Sequence, residues 1–367
     1  MSGLLQHTPL HSLHQELAAK LVPFAGYDMP VQYPDGIIKE HKHTRSIVGL
    51  FDVSHMGQIT LHCPLAALAK LLPSDLAALA PMQTSYSLLL NEAGGIIDDL
   101  MVTRLNEAGD QWFLVVNASR KLIDHAHLRA HIPQATTNQL HNDRALLALQ
   151  GPQAVTVMET LLPEAVKLRF MHAGSYFSKY GQLFVTRNNY TGKDDFEISV
   201  PAPQAITITK RLLADERVKH IGLGTRDTLR LETNLCLYGH ELDETISPPE
   251  ARLNWVIGNG RRAQADFPGS QRIMAEIGAK PARYRVGLMP EGRAIAREQT
   301  PIFDANGKSI GIVCSGGFSP TLERPIAMGF VPSEHSAVGS QVFLELRGQK
   351  IAAVVTKLPF VPHNYVR

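Results

Sequence analysis

Two adjacent aspartates in the first third of the chain have the residue type and the setting for acid–base chemistry. Asp98 and Asp99 lie between two isoleucines and a Leu-Met-Val run in the segment GGIIDDLMVTR, residues 94–104. The apolar flanks predict a buried strand, and a buried carboxylate is costly unless something pairs with it. These carboxyl groups therefore either satisfy neighbouring donors or take part in proton transfer.

Strand alternation separates the two aspartates, because successive side chains point to opposite faces of a sheet. Asp99 shares its face with Met101, and in the next strand, WFLVVNAS, Val115 shares a face with Asn117. A ligand pocket combines apolar walls with a few placed polar groups, and these two pairs fit that description. Asp98 is expected to cap a turn or to pair with a buried arginine. The residues alone leave open that both aspartates only satisfy backbone or arginine donors.

Two other charged residues could contribute to a site, and each also has an ordinary structural interpretation. In DDFEISV, Phe196 and Ile198 are expected in the core, so Glu197 points to the opposite face, where a carboxylate is usually solvated. Arg226 follows the glycines of GLGTRDTLRLE, close to a predicted helix N-terminus, where anions are favoured. Its alternative role is a salt bridge to Asp227 or to a distant carboxylate.

Composition excludes several classes of protein. The 367 residues carry a net charge of +2, with 44% hydrophobic and 19% charged residues, which is typical of a globular protein without a nucleic-acid-binding charge. Three separated cysteines indicate a reducing compartment, taken here as the cytoplasm, and argue against disulfides or structural zinc. The first 20 residues do not resemble a secretory signal, and no stretch is long and apolar enough to predict a membrane span. The histidine-rich segments 41–43 and 127–131 are expected to be solvated helix faces, so no metal site is predicted.

The elements that would position these residues are helices mixed with antiparallel strands, the α+β class. Strands are predicted around residues 86–91, 95–105 and 111–119, and the last ~80 residues alternate short strands with turns like a small β-barrel. FAGYDMPVQYPDG, residues 24–36, is interpreted as a Pro/Gly-rich loop. The polar stretch 258–283 is interpreted as the separator before the barrel.

Nine motifs occur in order along the chain and together resemble one known family. They are FAGYDMP, GLFDVSHMGQ, GGIIDDLMV, VVNAS, ALQGPQA, YTGKDDFE, GLGTRDTLRLE, LYGHELDETISP and SGGFSPTLERPIAMGFV. They resemble the aminomethyltransferase (T-protein) family of the glycine cleavage system over essentially the whole chain.

The resemblance implies a three-domain cloverleaf of antiparallel sheets with helices around a central folate channel. The implied domains are a discontinuous folate-binding domain (1–55 with 145–262), a ferredoxin-like α+β domain (56–144) and a C-terminal β-barrel or jelly-roll-like domain (283–367). The family transfers a one-carbon unit from the aminomethyl-lipoyl arm of H-protein to tetrahydrofolate, releases ammonia and forms 5,10-methylenetetrahydrofolate. H-protein is then the implied partner, and glycine decarboxylase and dihydrolipoyl dehydrogenase belong to the wider system. Binding to nucleic acid or to a membrane is not expected.

The resemblance also implies roles for individual residues. Asp99 matches the family's essential aspartate, thirteen residues after the motif tyrosine Tyr86, and Glu197 matches its pterin-binding carboxylate. The remaining positions match the walls and ends of the folate site: Met101, Val115, Asn117, Tyr190, Arg226, Tyr365 and Arg367. Basic residues near the channel would steer an acidic carrier, and the candidates are Arg261, Arg262, Arg293 and Arg297.

The chain departs from the family pattern in one loop. It reads NNYTGKDDFE, so Asn189 and Asp195 replace glycines and Lys193 replaces a glutamate; further on, Leu235 replaces a frequent tyrosine. Asn and Asp tolerate left-handed backbone, which would keep the loop geometry. The reversed charge at Lys193 would alter contact with a partner.

Two other functions remain as alternatives. A folate-dependent demethylase of a free methylated amine or sulfonium compound would share the channel, but the intact FDVSHM and the full-length match favour the aminomethyltransferase. A non-enzymatic folate-binding protein of iron–sulfur cluster maintenance would carry a signature cysteine. The equivalent stretch here, DFPGSQRI (266–273), has none.

Overall fold

A computed structural model of the chain describes residues 4–188 and 195–363. Its helices are α1 (His11–Glu16), α2 (Gly36–Ser46), α3 (Leu65–Ala69), α4 (Lys121–His131), α5 (Ala154–Leu161), α6 (Ala205–Leu213), α7 (Leu223–Glu232), α8 (Asn259–Gln264) and α9 (Ser270–Ala279). Its strands are β1 (Lys20–Phe24), β2 (Tyr27–Gln32), β3 (Val48–Asp52), β4 (Gly57–His62), β5 (Thr84–Leu90), β6 (Ile96–Arg104), β7 (Gln111–Val116), β8 (Thr136–Gln139), β9 (Arg144–Gln150), β10 (His172–Ser178), β11 (Gly181–Asn188), β12 (Asp195–Pro201), β13 (Val218–His220), β14 (Arg283–Pro290), β15 (Pro301–Phe303), β16 (Ser309–Ser319), β17 (Arg324–Pro332), β18 (Gln341–Leu346) and β19 (Gln349–Thr356).

A six-stranded sheet has the order β10-β11-β12-β9-β3-β13. Its pairs are antiparallel except β13 with β3, which is parallel. One face carries Phe196 and Ile198 into a core with α5 and α6, as the alternation in DDFEISV predicts. The opposite face is therefore the one that carries Glu197.

A five-stranded antiparallel sheet has the order β5-β6-β7-β4-β8. Leu100 and Val102 of β6 pack with Leu128 of α4 and with α3 on one face. On the other face, Met101 and Val115 pack in an apolar cluster with residues of the six-stranded sheet. The two sheets thus meet across the face that carries Asp99.

The C-terminal part is a closed six-stranded barrel with the order β14-β17-β16-β15-β18-β19, as predicted from the alternation of short strands and turns. Small and branched apolar side chains fill it. A further apolar cluster joins barrel strands β16 and β17 to the β5–β6 hairpin and to residues 235–257. Mixed helices, antiparallel sheets and the barrel agree with the predicted α+β class.

Helix α7 joins these parts, since it packs against α2, β2 and β16. Its N-terminus follows Gly222, whose N–H donates to the Glu40 carboxylate at 2.9 Å. A Cβ at Gly222 would lie 2.4 Å from the Val31 carbonyl, and one at Gly224 would lie 2.6 Å from the Ile37 side chain. The two glycines therefore allow the start of α7 to approach β2 closely.

Several local predictions are wrong. The segment interpreted as a loop at 24–36 belongs largely to the β1–β2 hairpin. The expected solvated helix face at 41–43 includes His41, which is fully buried and contacts Thr228, Thr321 and Glu232. None of the helices in the described ranges is long and apolar enough to cross a membrane.

Candidate active site

A row of three side chains crosses the five-stranded sheet on the face directed at the six-stranded sheet. Tyr86 on β5 pairs with Met101 on β6, and Met101 pairs with Val115 on β7. The Tyr86 ring also stacks on Trp255, with ring centroids 5.5 Å apart and planes 22° apart. The row forms an apolar and aromatic surface, and its use as a wall of the folate site stays a prediction.

Asp99 lies two residues before Met101 and is held by two donors. The Tyr86 hydroxyl donates to Oδ2 at 3.1 Å, and the Asn117 amide nitrogen donates to Oδ1 at 2.7 Å. Burial raises the pKa of Asp99 to about 7, the Asp98 carboxyl acts in the same direction, and the two hydrogen bonds oppose the rise. A carboxyl group with this pKa changes protonation state close to neutral pH, as a general acid or base must.

Asp98 has a different environment from the expected turn cap or arginine pair, and that expectation is wrong. Its carboxyl oxygens accept hydrogen bonds from the Asn117 side chain at 2.9 Å and from the Asn117 backbone N–H at 3.0 Å. The side chain is fully buried, and burial followed by the neighbouring Asp124 carboxyl raises the pKa of Asp98 well above its usual range.

Glu197 on β12 lies between Thr186 of β11 and Ala148 of β9. It is 8% exposed, so the solvated alternative is excluded for this carboxylate. Asn188 donates to its Oε2 at 2.8 Å. Burial raises the pKa of Glu197, while the Arg226 charge and the Asn188 hydrogen bond oppose that rise.

Arg226 lies in the first turns of α7, and its charge acts on Glu197 from the facing helix. Its guanidinium carbon lies 5.9 Å from the centroid of the Phe51 ring. The Asp227 carboxylate pairs at 2.8 Å with Arg230, whose guanidinium also reaches Glu241 and Ser315 of the barrel. Arg230 therefore fixes α7 to the barrel, while Arg226 faces the six-stranded sheet.

A cavity of about 450 Å³ lies where β1, β2, the end of β7, α7 and barrel strand β16 meet. Of the predicted catalytic and folate-site residues in the described ranges, Asn117 and Arg226 line it directly. Asp99 is joined to the cavity wall through its hydrogen bond with Asn117. The cavity is thus bordered by the β1–β2 hairpin, the end of β7, α7 and the barrel, and Glu197 does not line it.

Other cavity residues were not assigned a role from the sequence. His55 and Met56, in the FDVSHM motif, and Tyr238 line the cavity, and Trp255 stacks on Tyr86. His55 is buried, and burial lowers its pKa to about 4, so it is a neutral imidazole at neutral pH. The motif itself was the available signal for His55 and Met56. No sequence signal pointed to Trp255 beyond its residue type.

The predicted Tyr190, Tyr365 and Arg367 lie outside the described residues. His363, at the end of the described chain, contacts the carbonyl oxygen of Thr233 just past α7 at 2.9 Å.

The four arginines proposed for carrier docking have different environments. Arg261 is buried, pairs with Asp266 at 2.5 Å and donates to the Ala69 carbonyl oxygen, so its assignment to a docking surface is wrong. Arg262 donates to the carbonyl oxygens of Ile257 and Asn254. Arg293 and Arg297 are exposed on the barrel, and Arg297 lines the cavity.

One group of potential metal ligands lies apart from the cavity lining, at His7, His11 and Asp28. The two imidazole rings stack face to face, 3.6 Å apart and 4° from parallel, and His11 Nε2 lies 2.9 Å from the Asp28 carboxylate. The observed arrangement is a hydrogen-bonded contact between His11 and Asp28 with the His7 ring stacked on His11.

Comparisons with known proteins agree with this architecture. The sequence model of the GCVT N-terminal domain matches residues 10–260, and that of the glycine cleavage T-protein C-terminal barrel domain matches residues 283–362. The chain is 40% identical to the mitochondrial aminomethyltransferase of Dictyostelium discoideum, over 99% of this chain and 94% of that protein. It is 42% identical to the mitochondrial aminomethyltransferase of Homo sapiens, over 99% of this chain and 91% of that protein.

A solved structure has the same fold. The crystal structure of the glycine cleavage system aminomethyltransferase T from Bartonella henselae superposes with a TM-score of 0.93 and 42% identity, covering 99% of this chain and all of that chain. The fold and the matches define a folate-dependent transferase. The chain belongs to the aminomethyltransferase family, the T-proteins of the glycine cleavage system.

Proposed function

We propose that Asp99 carries the one-carbon chemistry of the aminomethyltransferase reaction and that Glu197 anchors the folate substrate. In this reaction the aminomethyl group on the lipoyl arm of H-protein passes to tetrahydrofolate, with release of ammonia and formation of 5,10-methylenetetrahydrofolate. The observation that carries the proposal is the fixed position of Asp99 between Tyr86 and Asn117, with Asn117 in the cavity wall.

Glu197 has the chemistry that a pterin requires. A pterin presents a ring N–H beside an amino group, and one ionised carboxylate can accept both donors. The Arg226 charge and the Asn188 amide favour the ionised form of Glu197 against the effect of burial. Met101, Val115 and Tyr86 supply apolar and aromatic surface for the rest of the molecule.

Asp99 would act on the amines between which the one-carbon unit moves. An ionised carboxylate orients the amine, accepts its proton and stabilises the cationic iminium that forms when ammonia departs. The Tyr86 hydroxyl and the Asn117 amide hold one oxygen each, so rotation of the carboxylate is restricted. We assign Asn117 and Tyr86 to positioning, and Arg226 to the electrostatic balance of Glu197.

The partner and the location follow from the same proposal. The lipoylated H-protein would deliver its arm to the cavity bordered by α7 and the barrel, within a system that includes glycine decarboxylase and dihydrolipoyl dehydrogenase. The domain limits 1–55 with 145–262, 56–144 and 283–367 are proposed as the three domains around this channel.

All three cysteines are buried free thiols, which suits a reducing compartment such as the cytoplasm.

The direct test is ammonia release from aminomethylated H-protein with and without tetrahydrofolate. Dimethylglycine and dimethylsulfoniopropionate serve as free one-carbon donors in parallel reactions. We expect folate-stimulated release from the carrier and none from the free donors. Turnover of a free donor with no activity on the carrier would assign the protein to the demethylases instead.

A further inference from the structure

Asp124 on α4 is a buried carboxyl group that the reaction as proposed does not use. Its side chain is fully buried, beside Lys121 and Leu128 on the inward face of the helix. No N–H or hydroxyl donor of the described residues reaches either of its oxygens. Asp98 lies on the face of β6 that packs against α4 through Leu100 and Leu128, and its carboxyl group acts on Asp124.

Two facing carboxyl groups can form a hydrogen bond only when one of them keeps its proton. Two adjacent carboxylates in a buried site do not both ionise, because like charges repel and burial disfavours each charge. Burial raises the pKa of Asp124 to about 7, with the Asp98 hydrogen bond and the Arg120 charge acting against the rise. The Arg120 guanidinium is itself bonded to the Ile97 carbonyl oxygen and to Glu244.

The pair is connected to Asp99 by a single side chain. The Asn117 amide nitrogen donates to Asp98 Oδ1 at 2.9 Å, to Asp99 Oδ1 at 2.7 Å and to the Asp99 carbonyl oxygen at 3.0 Å. A neutral Asp98 accepts hydrogen bonds more weakly than a carboxylate, which leaves the Asn117 amide to the ionised Asp99. A change of charge at Asp98 would therefore alter the ionisation of Asp99 in two ways, through the Asn117 hydrogen bonds and through direct electrostatic interaction.

We propose that Asp98 and Asp124 share one proton across a buried carboxyl–carboxylate hydrogen bond, and that this pair positions Asp99 through Asn117. The shared proton then leaves less negative charge on Asp98 beside Asp99 than a fully ionised Asp98 would carry, so Asp99 can ionise near neutral pH. Asp98 and Asp124 are positioning residues, and this role rests on the proposed function of Asp99. The titratable and charged groups that face the pair from neighbouring elements are Asp99, Arg120 and Tyr238.

Asp124→Asn tests the proposal, because an amide donates permanently to Asp98 and favours its ionised form. The first measurement is Tm at pH 5 and pH 8, which requires neither carrier nor folate. Native carboxyl groups with a raised pKa stabilise the fold at low pH and lose that contribution as pH rises through the folded pKa. The Tm of the wild type should therefore fall more between these pH values than that of Asp124→Asn.

The second measurement is the pH profile of ammonia release from the carrier. An ionised Asp98 beside Asp99 should move the acid limb of turnover upward by about one unit. The control is Glu92→Gln, which removes one carboxylate at an exposed position in the β5–β6 turn. It should change neither the pH dependence of Tm nor the acid limb of turnover. If Asp124→Asn does not fold, the double variant Asp98→Asn with Asp124→Asn, whose amides can bond to each other, replaces it in the Tm series.

The outcomes separate the two proposals. A Tm difference between variant and wild type that is the same at pH 5 and pH 8 would overturn the shared proton. A pH-dependent Tm difference with an unmoved acid limb would overturn the positioning role. An inactive wild type would instead count against the proposed function, and the Tm series would still decide whether the proton is shared.

Discussion

The side-chain amide of Asn117 lies 2.7 Å from Asp99 Oδ1, across the β6–β7 pair at the edge of the central cavity. This contact joins a residue at the end of β7 to a carboxyl group in the middle of β6. The same amide also reaches Asp98, so one side chain fixes two adjacent carboxyl groups on opposite faces of a strand.

Replacing Asn117 should therefore lower turnover by more than the loss of folded protein accounts for. Asn117→Leu removes the donor to Asp99 and leaves buried acceptors unpaired, each at a cost of about 1–3 kcal/mol. We expect a lower Tm and a fall in turnover of about tenfold to a hundredfold per folded molecule. Thermal unfolding and steady-state ammonia release measure the two effects. Turnover per folded molecule equal to wild type would remove Asn117 from the site.

The pH dependence of turnover should reflect Asp99. Its pKa is raised to about 7, chiefly by burial, so the ionised form accumulates as pH rises through that value. Turnover at saturating substrates should therefore rise between about pH 6 and pH 8. Stability has the opposite sign for this group, because its protonated form is favoured in the fold and that contribution is lost as pH rises through 7. A turnover profile that falls from pH 6 to pH 8 would contradict an ionised Asp99.

Glu197→Gln should weaken folate binding. Glutamine leaves one acceptor and presents an amide donor to a ring N–H donor, which costs about 1–3 kcal/mol, or roughly tenfold in affinity. Calorimetric titration with tetrahydrofolate measures the change, and Glu345→Gln, on the exposed side of β18, is the matched control. Equal affinity in a well-folded Glu197→Gln protein would place the pterin elsewhere.

Exposed arginines on the barrel should steer the carrier. Arg297 lines the cavity and Arg293 is exposed nearby in the chain, whereas Arg347 is an exposed barrel arginine that does not line it. Replacing Arg293 and Arg297 together with glutamine should raise KM for H-protein at low salt and reduce its salt dependence, since screening acts over about 8–10 Å. Turnover at saturating carrier should change little. The same KM shift in Arg347→Gln would mean that overall charge, not this surface, attracts the carrier.

Strand periodicity was enough to predict which residues share a face, because the repeat of two is local. It separated Asp99 from Asp98 and Glu197 from Phe196 without knowledge of the neighbouring strands. The carboxyl partner of Asp98 was not predictable in this way. Asp124 lies 26 residues further along the chain on a helix, and an acidic pair is stable only when burial lets the two groups hold a proton between them.

The other errors also arise from tertiary contacts. Pro30 and Pro34, with the two glycines, favoured a loop for residues 24–36, but a two-stranded hairpin tolerates proline at its edges. His41 was expected in solvent, but α2 packs against α7, and the imidazole meets Thr228 and Glu232 there. Arg261 was expected on the surface because arginine usually is, yet its ion pair and backbone acceptor make its burial possible.

The most direct test of the account is the rate of ammonia release by Asp99→Asn from aminomethylated H-protein, measured with tetrahydrofolate binding to the same variant. Asparagine keeps the shape of the side chain and removes its charge and its capacity to accept a proton. We predict that turnover falls by about 10²–10⁴-fold, the usual loss for a general acid or base, while folate affinity changes by less than about tenfold. Turnover within a few-fold of wild type, in a variant that folds and binds folate, would contradict the assignment of the chemistry to Asp99.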